Sequence, residues 1–232
     1  MTLVVCLKAS NGIVLAADSR GTIGDPRGLT AINDTQQKIF GLGKCGLALA
    51  GASEMGAALL DELKKNNVDA SPNVDDAVKK VVELSATLFS QWFRDIPPPQ
   101  RPPVLITIGG YRYPKGGLPL AMIYLLSSQM NFAPQLFDHG PCMSGVPQYA
   151  VYLAHRYYDP AIPLSKAKAL AEYLIAETAS QDPKVGGPIR IAEITAEGGY
   201  RQLTDAEVSG ISKANEELNE RLRQFFLEGD LK

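Results

Sequence analysis

Two apolar runs stand near the start of the chain, Leu3-Val4-Val5-Cys6-Leu7 and Ile13-Val14-Leu15-Ala16-Ala17, with Ser10-Asn11-Gly12 between them. Asn-Gly between apolar runs is a hairpin signal, so residues 2–9 and 12–17 are predicted as paired strands. Neither run alternates with polar residues, which predicts a sheet covered on both faces. Residues 38–42 and 45–50 repeat the arrangement and end at Gly51. The apolar spacing then lengthens to three and four residues. Met55, Leu59, Leu60 and Leu63 predict a helix over Ser53–Lys65, and Val74, Val78, Val81, Leu88 and Trp92 predict a second one after Asn73 as N-cap. Pro97-Pro98-Pro99 ends it.

Strands are predicted again over 103–109, 118–127 and 133–138. Ser144-Gly145-Val146-Pro147 is read as the opening of a helix, with proline in its first turn. A further helix is predicted over 164–179, striped by Ala167, Leu170, Ala171, Leu174 and Ile175. Residues 182–188 read as a loop and 189–195 as a strand. Thr204-Asp205-Ala206-Glu207 is a capping box, starting a last helix with Val208, Ile211, Asn215, Leu218, Leu222 and Phe225 on one face. Residues 21–36 carry no periodicity and are rich in Gly, Thr, Asp and Pro, so they are expected to be a structureless working loop. Blocks of strands separated by helix pairs predict an α+β layer architecture, with stacked sheets and helices on their outer faces.

Composition narrows the function classes. No Gly/Ser-rich or charged stretch splits residues 1–232, which are expected to form a single domain. The net charge is −2 and the basic residues are scattered, which argues against a nucleic-acid surface. No run approaches the roughly 18 apolar residues of a membrane span. Lys8 and Asn11 interrupt the start where a signal peptide would be apolar, so a cytoplasmic protein is expected. Cys6, Cys45 and Cys142 and the two histidines, His139 and His155, have no ligand spacing, and neither a metal site nor a cofactor is expected.

The candidate chemistry lies at the ends of the first strands. If Met1 is removed, Thr2 carries a hydroxyl and a free α-amine, a nucleophile with its own general base. Asp18 closes the second strand, which places it near Thr2, and Lys38 opens the third. A lysine ammonium held by Asp18 would favour the threonine alkoxide. The same two residues also fit a strand-end ion pair. Gly51 sits between a strand and a helix, where its N–H can meet a developing oxyanion. It fits an ordinary turn as well.

Taken together, Thr2, the block Ala16-Ala17-Asp18-Ser19-Arg20-Gly21-Thr22, Lys38 before Ile39-Phe40, Leu49-Ala50-Gly51, Met143-Ser144-Gly145, and Asp182 with Gly186-Gly187 resemble the motifs of proteasome β subunits. The resemblance is closest to the small bacterial relatives and spans nearly the whole chain. It implies a four-layer αββα sandwich of two antiparallel sheets, the N-terminal-nucleophile (Ntn) hydrolase fold. It also implies a threonine endopeptidase acting on unfolded polypeptides inside stacked homo-oligomeric rings, with an ATPase unfoldase as a candidate partner.

By resemblance, Thr2, Asp18, Lys38 and Gly51 are catalytic, while Ser144 and Asp182 orient the terminal amine and a water. Thr22, Gly51 and Ser53 hold an extended peptide, and Gln36, Phe40 and Leu49 line a pocket for an apolar side chain. In two places the chain departs from the pattern: Val185 replaces a usual serine, and the segment between Asp18 and Lys38 is longer. A catalytically silent scaffold subunit and an Ntn amidase for a small molecule are the alternative readings. Trp92, Phe93, Phe132, Tyr157, Tyr158, Phe225 and Phe226 are expected to supply subunit contacts.

Overall fold

The computed structural model describes residues 2–24, 30–68 and 72–228. Strand β1 (Leu3–Ala9) and β2 (Gly12–Ala17) form the predicted hairpin, with Ala9 opposite Gly12 across a two-residue turn. Asn11 in that turn also accepts from Leu164 N–H at 3.0 Å, capping the later helix α4 (Leu164–Gln181). β1 and β2 are the centre of a five-stranded antiparallel sheet. Its remaining members are β10 (Cys142–Gly145), β11 (Arg190–Thr195) and β12 (Gly199–Gln202), in the order β10-β1-β2-β11-β12. A second antiparallel sheet runs in chain order through β5 (Ile39–Leu42), β6 (Cys45–Gly51), β7 (Val104–Arg112), β8 (Leu120–Ser127) and β9 (Gln135–Leu136).

The sheets stack, and the apolar runs are explained by what lies on each side. Leu3, Val5, Leu7, Val14 and Ala16 face α3 (Gln148–Tyr157), α4 and α5 (Asp205–Glu228), whereas Val4, Cys6, Ile13, Leu15 and Ala17 join Ile39, Ala48, Ala50 and Ile123 between the sheets. On the second sheet Cys45, Leu47, Ile106 and Ile108 meet Met55, Leu59, Val78 and Val81 of α1 (Ser53–Lys65) and α2 (Val74–Trp92). Side chains alternate across a strand, so both alternating sets must be apolar. The result is the expected four-layer order of helices, sheet, sheet and helices.

Asn73 accepts from Asp75 N–H at 3.2 Å, and the capping box closes reciprocally: Thr204 N–H donates to Glu207 at 2.8 Å and Glu207 N–H to Thr204 Oγ1 at 3.3 Å.

Several expectations are corrected. Residues 21–36 are not structureless: β3 (Gly21–Gly24) pairs with β4 (Thr30–Asn33), while residues 25–29 lie outside the described residues. Residues 142–145 form β10 against β1, so the third helix starts later, with Pro147 as its N-cap. The strand expected over 133–138 shrinks to Gln135–Leu136, and β12 had no sequence signal. Phe93 and Phe132 are not surface aromatics: both are buried, packed edge-on against Phe89. Tyr158 is half-buried and donates to the Lys8 carbonyl at 2.9 Å. No helix among the described residues is long and apolar enough to cross a membrane.

Candidate active site

One end of the sandwich gathers the start of β1, the end of β2, the start of β5 and the end of β6, which brings Thr2, Asp18, Lys38 and Gly51 to one place. Asp18 and Lys38 are almost fully buried and form an ion pair of 2.8 Å. A buried charge is stable only when its partners are arranged around it, and Asp18 has four. Its Oδ1 accepts from Leu3 N–H at 2.9 Å and from Lys38 Nζ at 2.8 Å; its Oδ2 accepts from the N–H groups of Arg20 and Gly186, both at 3.1 Å. Lys38 Nζ also donates to the Arg20 carbonyl at 2.7 Å. Burial pulls the lysine below its usual pKa range, while the charge of Asp18 and its hydrogen bond oppose that pull.

Thr2 is held by its backbone. Its carbonyl accepts from Val146 N–H at 2.9 Å, and a Cβ on Gly145 would stand 1.7 Å from that carbonyl oxygen. Gly145 has φ +95°, so glycine is required there both by conformation and by close approach. Gly51, with φ +105°, is under the same constraint: a Cβ would lie 1.9 Å from the Pro103 carbonyl oxygen.

Thr2, Lys38 and Gly51 line a cleft of about 260 Å3 together with Gln36, Gln37, Phe40, Leu49, Ser53, Ala57 and Leu60. A second recess, sharing Thr2, Gln36, Gly51 and Ser53, is walled by Gly21, Thr22, Asn33 and Glu54. Gln36, Phe40, Leu49, Gly51 and Ser53 lie on the walls of the first cleft, and Thr22 lies on those of the second recess. Among the described residues no group of three candidate ligands could hold a metal ion.

Ser144 and Asp182 are placed differently. Ser144 is buried on β10 opposite Val4, its hydroxyl 3.3 Å from that of Thr107, and it does not line the cleft. Asp182 ends α4 and accepts from Lys184 N–H at 2.9 Å in its own turn. Val185 is fully buried in the apolar cluster with Leu3 and Val146, so packing replaces the usual serine hydroxyl.

No family model and no curated protein sequence matches the chain. Solved structures do. The Anbu (ancestral beta-subunit) from Yersinia bercovieri superposes with a TM-score of 0.74 at 16% identity, covering 99% of this chain and 97% of that one. The Anbu complex from Pseudomonas aeruginosa, solved as a helical assembly, gives a TM-score of 0.75 at 20% identity with the same coverage, 99% and 97%. The chain shares the fold of these Anbu structures. At this identity the likeness establishes architecture and leaves the chemistry to the residues.

Four further residues, given no individual role in the sequence analysis above, contribute here. Gly186 N–H completes the carboxylate shell, and Ala57 and Leu60 of α1 floor the cleft. The fourth, Arg20, makes a bidentate pair with Asp34 at 2.8 and 2.9 Å. Leu60 had been assigned to the buried stripe of α1; it is half-buried because it lies where that stripe meets the cleft.

Proposed function

We propose that the chain is an N-terminal threonine endopeptidase that acts on unfolded polypeptides within a self-assembled compartment. The observation that carries this reading is the cleft that Thr2 shares with a buried, carboxylate-held Lys38 and the exposed Gly51. In the proposed reaction, loss of Met1, which lies outside the described residues, exposes the Thr2 α-amine. That amine takes the proton of the hydroxyl, and the oxygen attacks the scissile carbonyl while the Lys38 ammonium favours the alkoxide. Gly51 N–H would stabilise the oxyanion.

Ser144 and Asp182 would act on the amine from behind the cleft wall. The walls at Thr22, Gly51 and Ser53 suit an extended peptide bound by strand addition. Phe40, Leu49, Ala57 and Leu60 suit an apolar side chain beside the cut. The helical assembly of a protein with this fold supports self-association into rings or an open helix, since one heterologous interface gives either, depending on closure. An ATPase unfoldase would then feed the compartment.

A specific observation favours a second reading. Val185 is packed into the core where a polar support of the amine is usual, as a catalytically silent scaffold subunit would tolerate. Peptide hydrolysis by Thr2 variants separates the two. The proposal expects Thr2→Ala to abolish cleavage with assembly intact, and Thr2→Ser to keep part of it, because hydroxyl and amine both survive. Cleavage by Thr2→Ala at the parent rate would refute the nucleophile, and an inert parent chain would favour the scaffold.

A further inference from the structure

Arg20 meets the site twice, and the proposed reaction uses only one of these meetings. Its backbone forms part of the seat of the ion pair: the N–H donates to Asp18 Oδ2, and the carbonyl accepts from Lys38 Nζ. Its side chain joins two loops. Nε and Nη2 donate to the two oxygens of Asp34 at 2.8 and 2.9 Å, and Nη1 donates to the Pro183 carbonyl at 2.9 Å. Asp34 directly follows β4, at the base of the hairpin whose Thr22 and Asn33 wall the second recess. Pro183 belongs to the loop whose Gly186 N–H holds Asp18.

The backbone repeats the connection, since Ser19 N–H donates to the Gly186 carbonyl and Gln36 N–H to the Ser19 carbonyl, each at 3.0 Å. There is no slack around the guanidinium. A Cβ on Gly186 would lie 2.6 Å from its central carbon, and one on Gly187 would lie 2.9 Å from Asp34.

We propose that Arg20 is a positioning residue whose guanidinium locks the Asp18–Lys38 pair to the hairpin wall through Asp34 and to the 182–187 loop through Pro183. The inference rests on the Thr2 peptidase reading for its kinetic consequences, though not for the clamp itself. A planar fork with a third donor is what this junction requires, and a lysine cannot supply it. The pair also bears on Lys38 electrostatically. Among the described residues, the charged groups acting on the ammonium include Asp18 and Asp34, which favour it, and Arg20, which opposes it, with the terminal amine of a processed Thr2 as a further cation. Arg20 and Asp34 therefore offset one another only while both are charged.

The test uses the assembled full chain with Arg20→Lys, Arg20→Gln and Asp34→Asn, and reads peptide-cleavage kinetics against pH alongside amide hydrogen exchange. All three variants should lose on the order of tenfold or more in kcat, the scale expected when catalytic geometry slips. Arg20→Gln should move the alkaline limb of the pH profile to higher pH, and Asp34→Asn should move it to lower pH. In both, the amides of Gln36 and Gly186 should exchange faster while those of β8 do not change. Parent-like kcat in Arg20→Lys, or coincident alkaline limbs, would reduce the clamp to a structural tie and overturn the positioning role. If the parent chain cleaves nothing, the peptidase reading fails separately and exchange decides alone: faster exchange at both loops supports the clamp, and unchanged exchange overturns it.

Discussion

Lys38 owes its state to a conflict between burial and Asp18. Burial lowers its pKa and the carboxylate resists, so the ammonium gives up its proton below the ordinary lysine value of about 10.4. The sign for stability follows. The folded pKa lies under the unfolded one, so the burial cost is fully present below the folded pKa and is relieved as pH rises through the interval between them. For activity the sign is opposite: a cation that favours the Thr2 alkoxide is lost over that interval, and cleavage should fall on the alkaline side before ordinary lysines titrate. Lys38→Ala should cost on the order of 10² in kcat, the scale of a removed electrostatic stabiliser. It should still fold, because Asp18 keeps its three backbone donors. Lys38→Arg should not restore the rate, since a fork cannot occupy a seat built for a point charge. Steady-state kinetics across pH check all three statements, and a near-parent Lys38→Arg would leave Lys38 only an ion-pair partner. Asp18 and Lys38 were legible because each closes or opens a strongly apolar strand. Arg20 with Asp34 was not, because both ends lie in a polar stretch with no period.

The elements legible in the sequence were those with two apolar faces or a long helical stripe. β1, β2, β6, β8, α1, α2 and α4 are of this kind. β10 was read as a helix start because four residues containing Ser144 and Gly145 become a strand only when β1 lies beside them. The β3–β4 hairpin and β12 are short and largely polar, so their pairing partners, not their composition, make them strands. Asn215 shows the converse. It stands on the apolar stripe of α5, and the structure supplies the reason: its side-chain amide donates to the Ala169 carbonyl at 2.9 Å and to the buried carboxylate of Glu172 at 2.5 Å. Ser212 donates to the other oxygen of Glu172 at 2.6 Å. Asn215→Ala would leave Glu172 short of a donor inside the α4–α5 contact, at a cost of about 1–3 kcal/mol. Denaturant unfolding of the variant measures it, and a cost near zero would mean that the network adds nothing to the packing of α5.

For the whole molecule, the four layers bury their own cores yet leave apolar side chains outside. Tyr149 and Tyr152 of α3, Trp92 of α2, and Leu218, Leu222 and Phe226 of α5 are all exposed. Apolar surface of this extent on the helices is expected to meet other subunits. A homo-oligomer is therefore expected, as two stacked rings on the order of 12 to 14 subunits if the ring sizes of the resembled proteasome β subunits apply, or as an open helix if the interface does not close. Light scattering that finds a stable, active monomer at micromolar concentration would refute the compartment and leave the Thr2 chemistry standing. The central claim is that a terminal threonine, with its amine free, is the nucleophile. The most direct measurement is the intact mass of the assembled protein before and after treatment with a threonine-directed epoxyketone, which needs hydroxyl and amine on one residue. A chain lacking Met1 should gain one adduct at Thr2, with peptide cleavage lost in step. A chain that retains Met1, takes no adduct and still cleaves peptides would contradict the claim.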